Sequence, residues 1–215
     1  MRRHHISLNP QSCQNTKMSL ELLLGPMFAG KSSALLSIVR RHRALGWSVM
    51  VITHAMDRRY GDDPQIVNHD QQRIPATAVG DLIPLLETEE YQGARLVVVE
   101  EAQFFADLIP FVQKAVDTDG KHVVVVGLDG DSERKPFGRV LDLVPFADRI
   151  SKLTSFCRLC ADGTPAIFTH AYKEDARASA AEGKACVGAA DKYMPMCRKH
   201  YLAARKEVVL YPDTA

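Results

Sequence analysis

Three things that would decide the class of this chain are missing from it. It has no run of about 18 apolar residues, so no bilayer-spanning helix is read from it. It has almost no excess charge, with 27 Lys and Arg against 26 Asp and Glu and a net charge of +1. Nucleic-acid and membrane surfaces call for a concentrated basic field, so neither partner is expected. It has no internal repeat and no low-complexity tract. Cysteine is scarce and odd in number: Cys13, Cys157, Cys160, Cys186 and Cys197. No secretory signal is read, and three of the five sit near a histidine late in the chain. That pattern points to a metal rather than a disulfide framework. Acids are absent from residues 1–17, which also lack apolar periodicity. That segment reads as a disordered extension, with a transit peptide or an alternative start at Met18 as the other readings.

What remains is an ordinary soluble composition, with 46% hydrophobic and 25% charged residues. At 215 residues it suffices for one core and a small satellite. Nearly continuous apolar runs at 19–24, 47–53, 95–99 and 122–128 predict strands covered on both faces. Ala34, Leu35, Ile38, Val39 and Leu45 form one stripe of a helix over 32–45, which Gly46 ends. Residues 80–90 and 104–118 also read as helices. Strands alternating with helices predict an α/β domain with a parallel sheet over 18–150. After residue 150 the long apolar runs stop, and short β-like pieces (166–172, 184–187) appear among Cys, Gly and Lys. A second small domain over 151–202, held by metal, is expected, followed by a tail over 203–215.

The segment GPMFAGKS at 25–32 fits G-x-x-x-x-G-K-[ST] between a predicted strand and a predicted helix. Such a loop wraps a polyphosphate with backbone N–H groups, and side chains at the glycines would block that approach. The helix that follows turns its positive end to the phosphates. Lys31 would reach the β- and γ-phosphates of ATP, and the Ser32 hydroxyl would ligate Mg²⁺. The run LVVVEE at 96–101 sets Glu100 and Glu101 at the carboxyl end of a parallel strand, where ligands bind in such sheets. One acid could hold Mg²⁺ and the other accept a proton from an attacking hydroxyl. Solvated loop acids are the alternative reading.

Cys157-x-x-Cys160 and Cys197-x-x-His200 form two chelating pairs. Three thiolates and an imidazole suit a closed, tetrahedral structural Zn²⁺ site. The redox reading of C-x-x-C calls for a thioredoxin-like helix start, and none is evident. Cys186 reads as a small apolar residue. From these residues alone, another P-loop kinase or ATPase stays open, and so does a zinc-ribbon nucleic-acid binder. The balanced charge speaks against the binder.

Six stretches together resemble the type II thymidine kinases, the cytosolic zinc-containing class. They are GPMFAGKSS (25–33), DRRYG (57–61), VEEAQFF (99–105), LDGDSERKPFG (128–138), TSFCRLC (154–160) and GAADKYMPMCRKH (188–200). The resemblance covers about residues 18–201. It implies a RecA-like P-loop domain followed by a zinc-bound lasso domain, in a cytoplasmic homotetramer. It implies thymidine as acceptor, deoxyuridine as a second acceptor, ATP as donor and dTTP as inhibitor. In this resemblance Glu101 looks like the general base, and Arg59 like the residue that neutralises the transferring phosphoryl, with Lys31 beside it. Donor contacts would come from Gly25, Pro26, Met27, Phe28, Ala29, Gly30, Lys31, Ser32 and Ser33. Asp57 and Glu100 resemble the acids around Mg²⁺, and Gln103 joins the cofactor contacts. Met27, Leu128, Phe104 and Phe137 look like walls of the thymine pocket, with Thr169 beside the methyl. Val187, Gly188, Ala189 and Ala190, with Tyr193, resemble the lasso that closes over the base. The chain departs from many members at Glu100 (Asp in many), at Ala102 and Ala189 (Gly), at Ser132 (an aromatic in some) and at His200 (Cys).

Overall fold

The structure is a computed structural model that describes residues 18–56, 65–67, 72–171 and 192–209, the last four of these and residue 67 by backbone alone. Its first part runs β1 (Ser19–Leu24), α1 (Lys31–Ala44), β2 (Val49–His54), β3 (Gln65–Val67), β4 (Arg73–Pro75) and β5 (Thr77–Val79). A 3₁₀ segment (Ile83–Glu87) leads into α2 (Glu89–Gly93) and β6 (Leu96–Val99). Then come α3 (Leu108–Gln113), β7 (His122–Gly127), a second long 3₁₀ segment (Val140–Phe146) and β8 (Arg149–Lys152). Six strands make one sheet in the order β5-β2-β6-β7-β1-β8, and every pairing in it is parallel.

The continuous apolar runs are explained by this sheet. Alternate residues of each strand face opposite sides, and both sides are covered. Leu20, Leu22, Leu24, Val97, Val99, Val123 and Val125 face the layer that holds Phe105, Leu108 and Phe111. Leu23, Val51, Val98, Val124 and Val126 face α1 through Leu35, Leu36 and Val39. Fully burying each such side chain contributes roughly 1.5–3 kcal/mol. The predicted β1 has the observed bounds; β2 begins two residues later and ends one later than predicted, β6 begins one later, and β7 ends one earlier.

Two predicted helices are broken up. Pro84 near the start of the 80–90 segment turns it into 3₁₀ structure, and a new helix begins at Glu89, where the Thr88 hydroxyl accepts the Tyr91 N–H at 3.2 Å. The 104–118 segment starts α3 at Leu108, with Pro110 in its first turn, and ends in a π-helical stretch, Lys114–Thr118. The edge strands β5 and β8 carry no apolar run, because an edge strand has one sheet neighbour and β8 is largely exposed. β8 takes the sheet two residues past 150, the expected domain edge.

The second part is small. β9 (Ser155–Phe156) pairs with β10 (Pro165–Ala166), and β11 (Phe168–Ala171) pairs antiparallel with β12 (Tyr193–Met196). Helix α4 (Arg198–Val209) follows, so the segment after 202 begins as helix. The architecture is thus the expected one, a parallel α/β sheet followed by a small Cys/His unit. Cys13, Asp57, Arg59, Cys186, Val187, Gly188, Ala189 and Ala190 lie outside the described residues, as do the β-like piece at 184–187 and the extension at 1–17.

Candidate active site

The glycine loop leaves β1 under steric constraint. Gly25 has φ 149°, and a Cβ there would fall 2.6 Å from the Leu153 carbonyl oxygen. Leu153 is held in place by donating its N–H to Leu24 O at 2.8 Å. Gly30 closes the loop in the left-handed region (φ 77°, ψ 19°), and α1 starts at Lys31. Lys31 Nζ donates to the Pro26 carbonyl at 2.8 Å, so the ammonium arches over the loop. Ser32 Oγ donates to Glu100 Oε1 at 2.8 Å. Loop hydroxyl and strand-end carboxylate therefore meet at one point. A hydroxyl beside a carboxylate is a hard-oxygen donor set that suits Mg²⁺.

The two acids diverge because the backbone turns sharply between them. Glu100 continues the sheet, donating its N–H to Ile52 O at 2.8 Å, and is buried. Glu101 is left-handed at φ 50°, ψ 39°, a conformation that costs a residue with a side chain roughly 1–3 kcal/mol. Its Oε2 accepts from Gln103 Nε2 at 2.5 Å, while Gln103 Oε1 accepts the Leu128 N–H at 3.1 Å. The resemblance groups Gln103 with the cofactor contacts. Here its buried amide is committed inside the protein, tying Glu101 to the end of β7. Two glycines make room for it. A Cβ at Gly127 would lie 2.9 Å from Gln103 Oε1, and one at Gly138 would lie 2.0 Å from the Gln103 carbonyl oxygen.

His54 was missed by the sequence reading, which ends β2 at Thr53. Its ring lies 5.6 Å from Phe104 and 4.8 Å from Phe105, and its Nδ1 accepts the Met56 N–H at 3.1 Å. Burial lowers its pKa more than Asp81, the Gly80 backbone and Glu101 raise it, so the ring is neutral near pH 7. Its only sequence signal is its position at the carboxyl end of a parallel strand.

Apolar walls stand on two sides. Phe104 and Phe137 meet edge to face at 5.5 Å. Met27 and Phe28 pack on Ala171 and Tyr193, the register pair that ends the β11–β12 hairpin. The Met27 N–H donates to Thr169 Oγ1 at 3.0 Å. The structure therefore brings Met27, Thr169 and Tyr193 together, and it joins Leu128 to Glu101 through Gln103.

The metal-ligand set converges as its spacing predicts. Ligand atoms of Cys157, Cys160, Cys197 and His200 all lie within 4.8 Å of one another. A zinc tetrahedron with Zn–S near 2.3 Å and Zn–N near 2.0 Å has S···S edges of about 3.8 Å and S···N edges of about 3.6 Å. Cys160 Sγ and Cys197 Sγ are 3.8 Å apart, and the three sulfurs lie 3.3–3.5 Å from His200 Nδ1. The residues fit zinc. Burial raises the Cys157 pKa, but backbone N–H groups of Cys197 and Cys160, then the His200 ring, outweigh it and bring the thiol down to about 6. Cys160 is pushed up to about 11, by burial first and then by its thiol neighbours against a Thr164 hydrogen bond. The crowding of these thiols works against charging Cys160, which a bound cation would relieve.

The family model described as Thymidine kinase matches residues 18–201. The protein named Thymidine kinase from Oryza sativa subsp. japonica is 43% identical over 187 residues, an alignment spanning 85% of this chain and 66% of that protein. Thymidine kinase a of Arabidopsis thaliana is 41% identical, with 86% and 75% covered. The human protein named Thymidine kinase, cytosolic, is 35% identical over 210 residues, with 95% and 82% covered. The chain thus spans about two thirds of the rice protein and more of the other two.

Proposed function

Because this chain belongs to the thymidine kinase family, we propose that it transfers the γ-phosphoryl group of ATP to the 5′-hydroxyl of thymidine, giving thymidine monophosphate. One observation carries the reading: the loop serine and Glu100 are hydrogen bonded, and Glu101 stands next in the chain, turned away from them. That arrangement supports a donor site and a hydroxyl-activating acid side by side. Phosphoryl transfer asks for such positioning and charge neutralisation more than for covalent chemistry.

In this reading the N–H groups of residues 28–32 and Lys31 cradle the phosphates, since Pro26 has no N–H and the Met27 N–H is donated to Thr169, and Arg59 neutralises the transferring group. Ser32, Glu100 and Asp57 are the residues that would hold Mg²⁺, which when bound offsets charge on the β- and γ-phosphates. Glu101 orients the 5′-hydroxyl and takes its proton, held for that task by Gln103. Met27, Phe104, Leu128, Phe137 and Thr169 enclose the base. Val187, Gly188, Ala189 and Ala190, with Tyr193, close over it and keep water from the phosphoryl. Zinc, when bound, supplies folding energy to the unit that carries the β11–β12 hairpin.

Substrate range and inhibition follow from the same site. A pocket sized for one methyl discriminates by only about 1–3 kcal/mol, so deoxyuridine is accepted as well. dTTP inhibits, because it offers the base to the pocket and a triphosphate to the loop at once. The protein acts as a homotetramer, as the resemblance implies, and in the cytoplasm, in line with the human relative named Thymidine kinase, cytosolic. No helix among the described residues is long and apolar enough to cross a membrane. A nucleoside panel with Mg–ATP tests the function. Thymidine and deoxyuridine should drive ADP release with one 5′-monophosphate formed per ADP. ADP release equally fast without nucleoside would replace the kinase by an ATPase.

A further inference from the structure

Tyr201 directly follows the candidate metal ligand His200, and its side chain contacts β11 and the loop after β7. The ring is completely buried. It lies 4.9 Å from Phe168 and meets His170 at right angles at 5.9 Å. Those two residues flank Thr169 on β11, the strand that holds the Met27 N–H. The hydroxyl reaches the opposite way and donates to the Ser132 carbonyl at 2.6 Å. It also accepts from Arg205 Nη1 at 2.9 Å, and Arg205 Nη2 pairs with Glu133 at 2.5 Å. With a donor and an acceptor both satisfied, the hydroxyl is fixed in direction.

The loop that Tyr201 grips is already a closed turn. Asp131 Oδ1 accepts the N–H groups of Glu133 and Lys135, each at 2.8 Å, and the Asp131 N–H donates to Lys135 O at 2.9 Å. Such a turn moves as a unit. At its far end Phe137 packs on Phe104, and Gly138 lies against the backbone of Gln103. At its near end Leu128 donates to the Gln103 side chain.

We infer that Tyr201 is a positioning residue for the nucleoside, setting the distance between β11 and the 128–138 loop. The inference rests on the site reading above, in which Thr169 lies on one wall and Leu128 and Phe137 on the other. It also gives the zinc unit a task beyond holding its own hairpin. The first turn of α4, anchored by the metal ligands Cys197 and His200, carries the residue that spaces the pocket. The ATP loop meets this packing at one remove, through Thr169 and the Met27 N–H, so the main effect falls on the nucleoside.

Tyr201→Phe removes the hydroxyl and keeps the ring. The variant should retain one zinc per chain, keep its KM for ATP and its kcat, and raise its KM for thymidine roughly three- to tenfold, the usual effect of one buried hydrogen bond. Amide hydrogen exchange at Asp131, Glu133 and Lys135 should speed up. Tyr91→Phe is the control. Tyr91 is equally buried and its hydroxyl donates to Asp119 at 2.7 Å, in the helical layer of the sheet. It should lose stability with no change in thymidine KM. The inference is overturned if Tyr201→Phe leaves the thymidine KM alone, raises both KM values equally or sheds its zinc. It is overturned too if Tyr91→Phe raises the thymidine KM as much. Should the wild-type protein fail to phosphorylate thymidine, the site reading falls separately, and unchanged loop exchange in Tyr201→Phe would still overturn the spacing role of Tyr201.

Discussion

The parallel sheet and the Cys/His unit are stabilised by different forces. Each face of the sheet is closed by a broad apolar cluster. Among the described residues, the buried cluster around the Cys/His set is Cys157, Ala166 and Cys197, with Cys160 against it, and Ala171 and Tyr193 pack on Met27 and Phe28. Three of the four residues at the Cys/His set are cysteines, so a metal bound there would add to what burial supplies. The difference divides the proposed substrates. The ATP loop grows out of the sheet between β1 and α1. The nucleoside side leans on β11, β12 and α4. In the proposed function one substrate site is thus built on hydrophobic burial, the other on metal coordination.

Perturbations aimed at one part should leave the other in place. The largest effect is expected from Cys157→Ser. Structural zinc contributes on the order of 10 kcal/mol to the folding of such units. The variant should lose its zinc and its thymidine binding, while ATP binding and the circular dichroism of the sheet persist. Zinc release and calorimetric titration of each substrate measure this. Full thymidine affinity in metal-free protein would break the comparison.

Leu22→Ala comes next. The side chain is 1% exposed in β1, and its loss should cost about 2–5 kcal/mol in urea unfolding. The folded variant should keep its zinc and its thymidine KM. A drop in zinc content would mean that the two parts share one core.

The smallest effect is in pH. His122 is buried and its pKa is lowered, by burial first and by His42, against the raising effects of Glu21, the Ser19 backbone and Asp148. Its Nε2 is 3.7 Å from Glu21 Oε1, and its ring is 5.5 Å from His42. With the folded pKa below the unfolded 6.5, the unfolded chain binds the extra proton. This contribution to stability is therefore whole above pH ~6.5 and declines as pH falls toward the folded value. Trp47, the sole tryptophan, lies 6.2 Å from the His122 ring and reports on the sheet by fluorescence. His122→Gln should flatten the acid slope seen by Trp47 and leave the pH of zinc release unmoved. An unchanged slope would remove His122 from the account.

The comparison also explains what could be read from the sequence. The central strands were legible because burial on both faces demands an unbroken apolar run. The phosphate loop was legible because its glycines are dictated by backbone approach, and the zinc set because two ligands per tight turn fix the spacing. β8 left no such mark, since its edge position tolerates Arg149 and Lys152. The left-handed turn at Glu101, the commitment of Gln103 to Glu101, and the reasons for Gly127 and Gly138 depend on partners distant in sequence. His54 and Tyr201 look like an ordinary strand end and an ordinary helix residue until the packing around them is seen.

The central claim is that Glu101, held by Gln103 beside the phosphate loop, takes the proton from the acceptor hydroxyl. Glu101→Gln, assayed with Mg–ATP and thymidine at saturation, tests it most directly. Turnover should fall about 10²- to 10⁴-fold while ATP and thymidine affinities hold. Near-normal turnover in that variant would contradict the account.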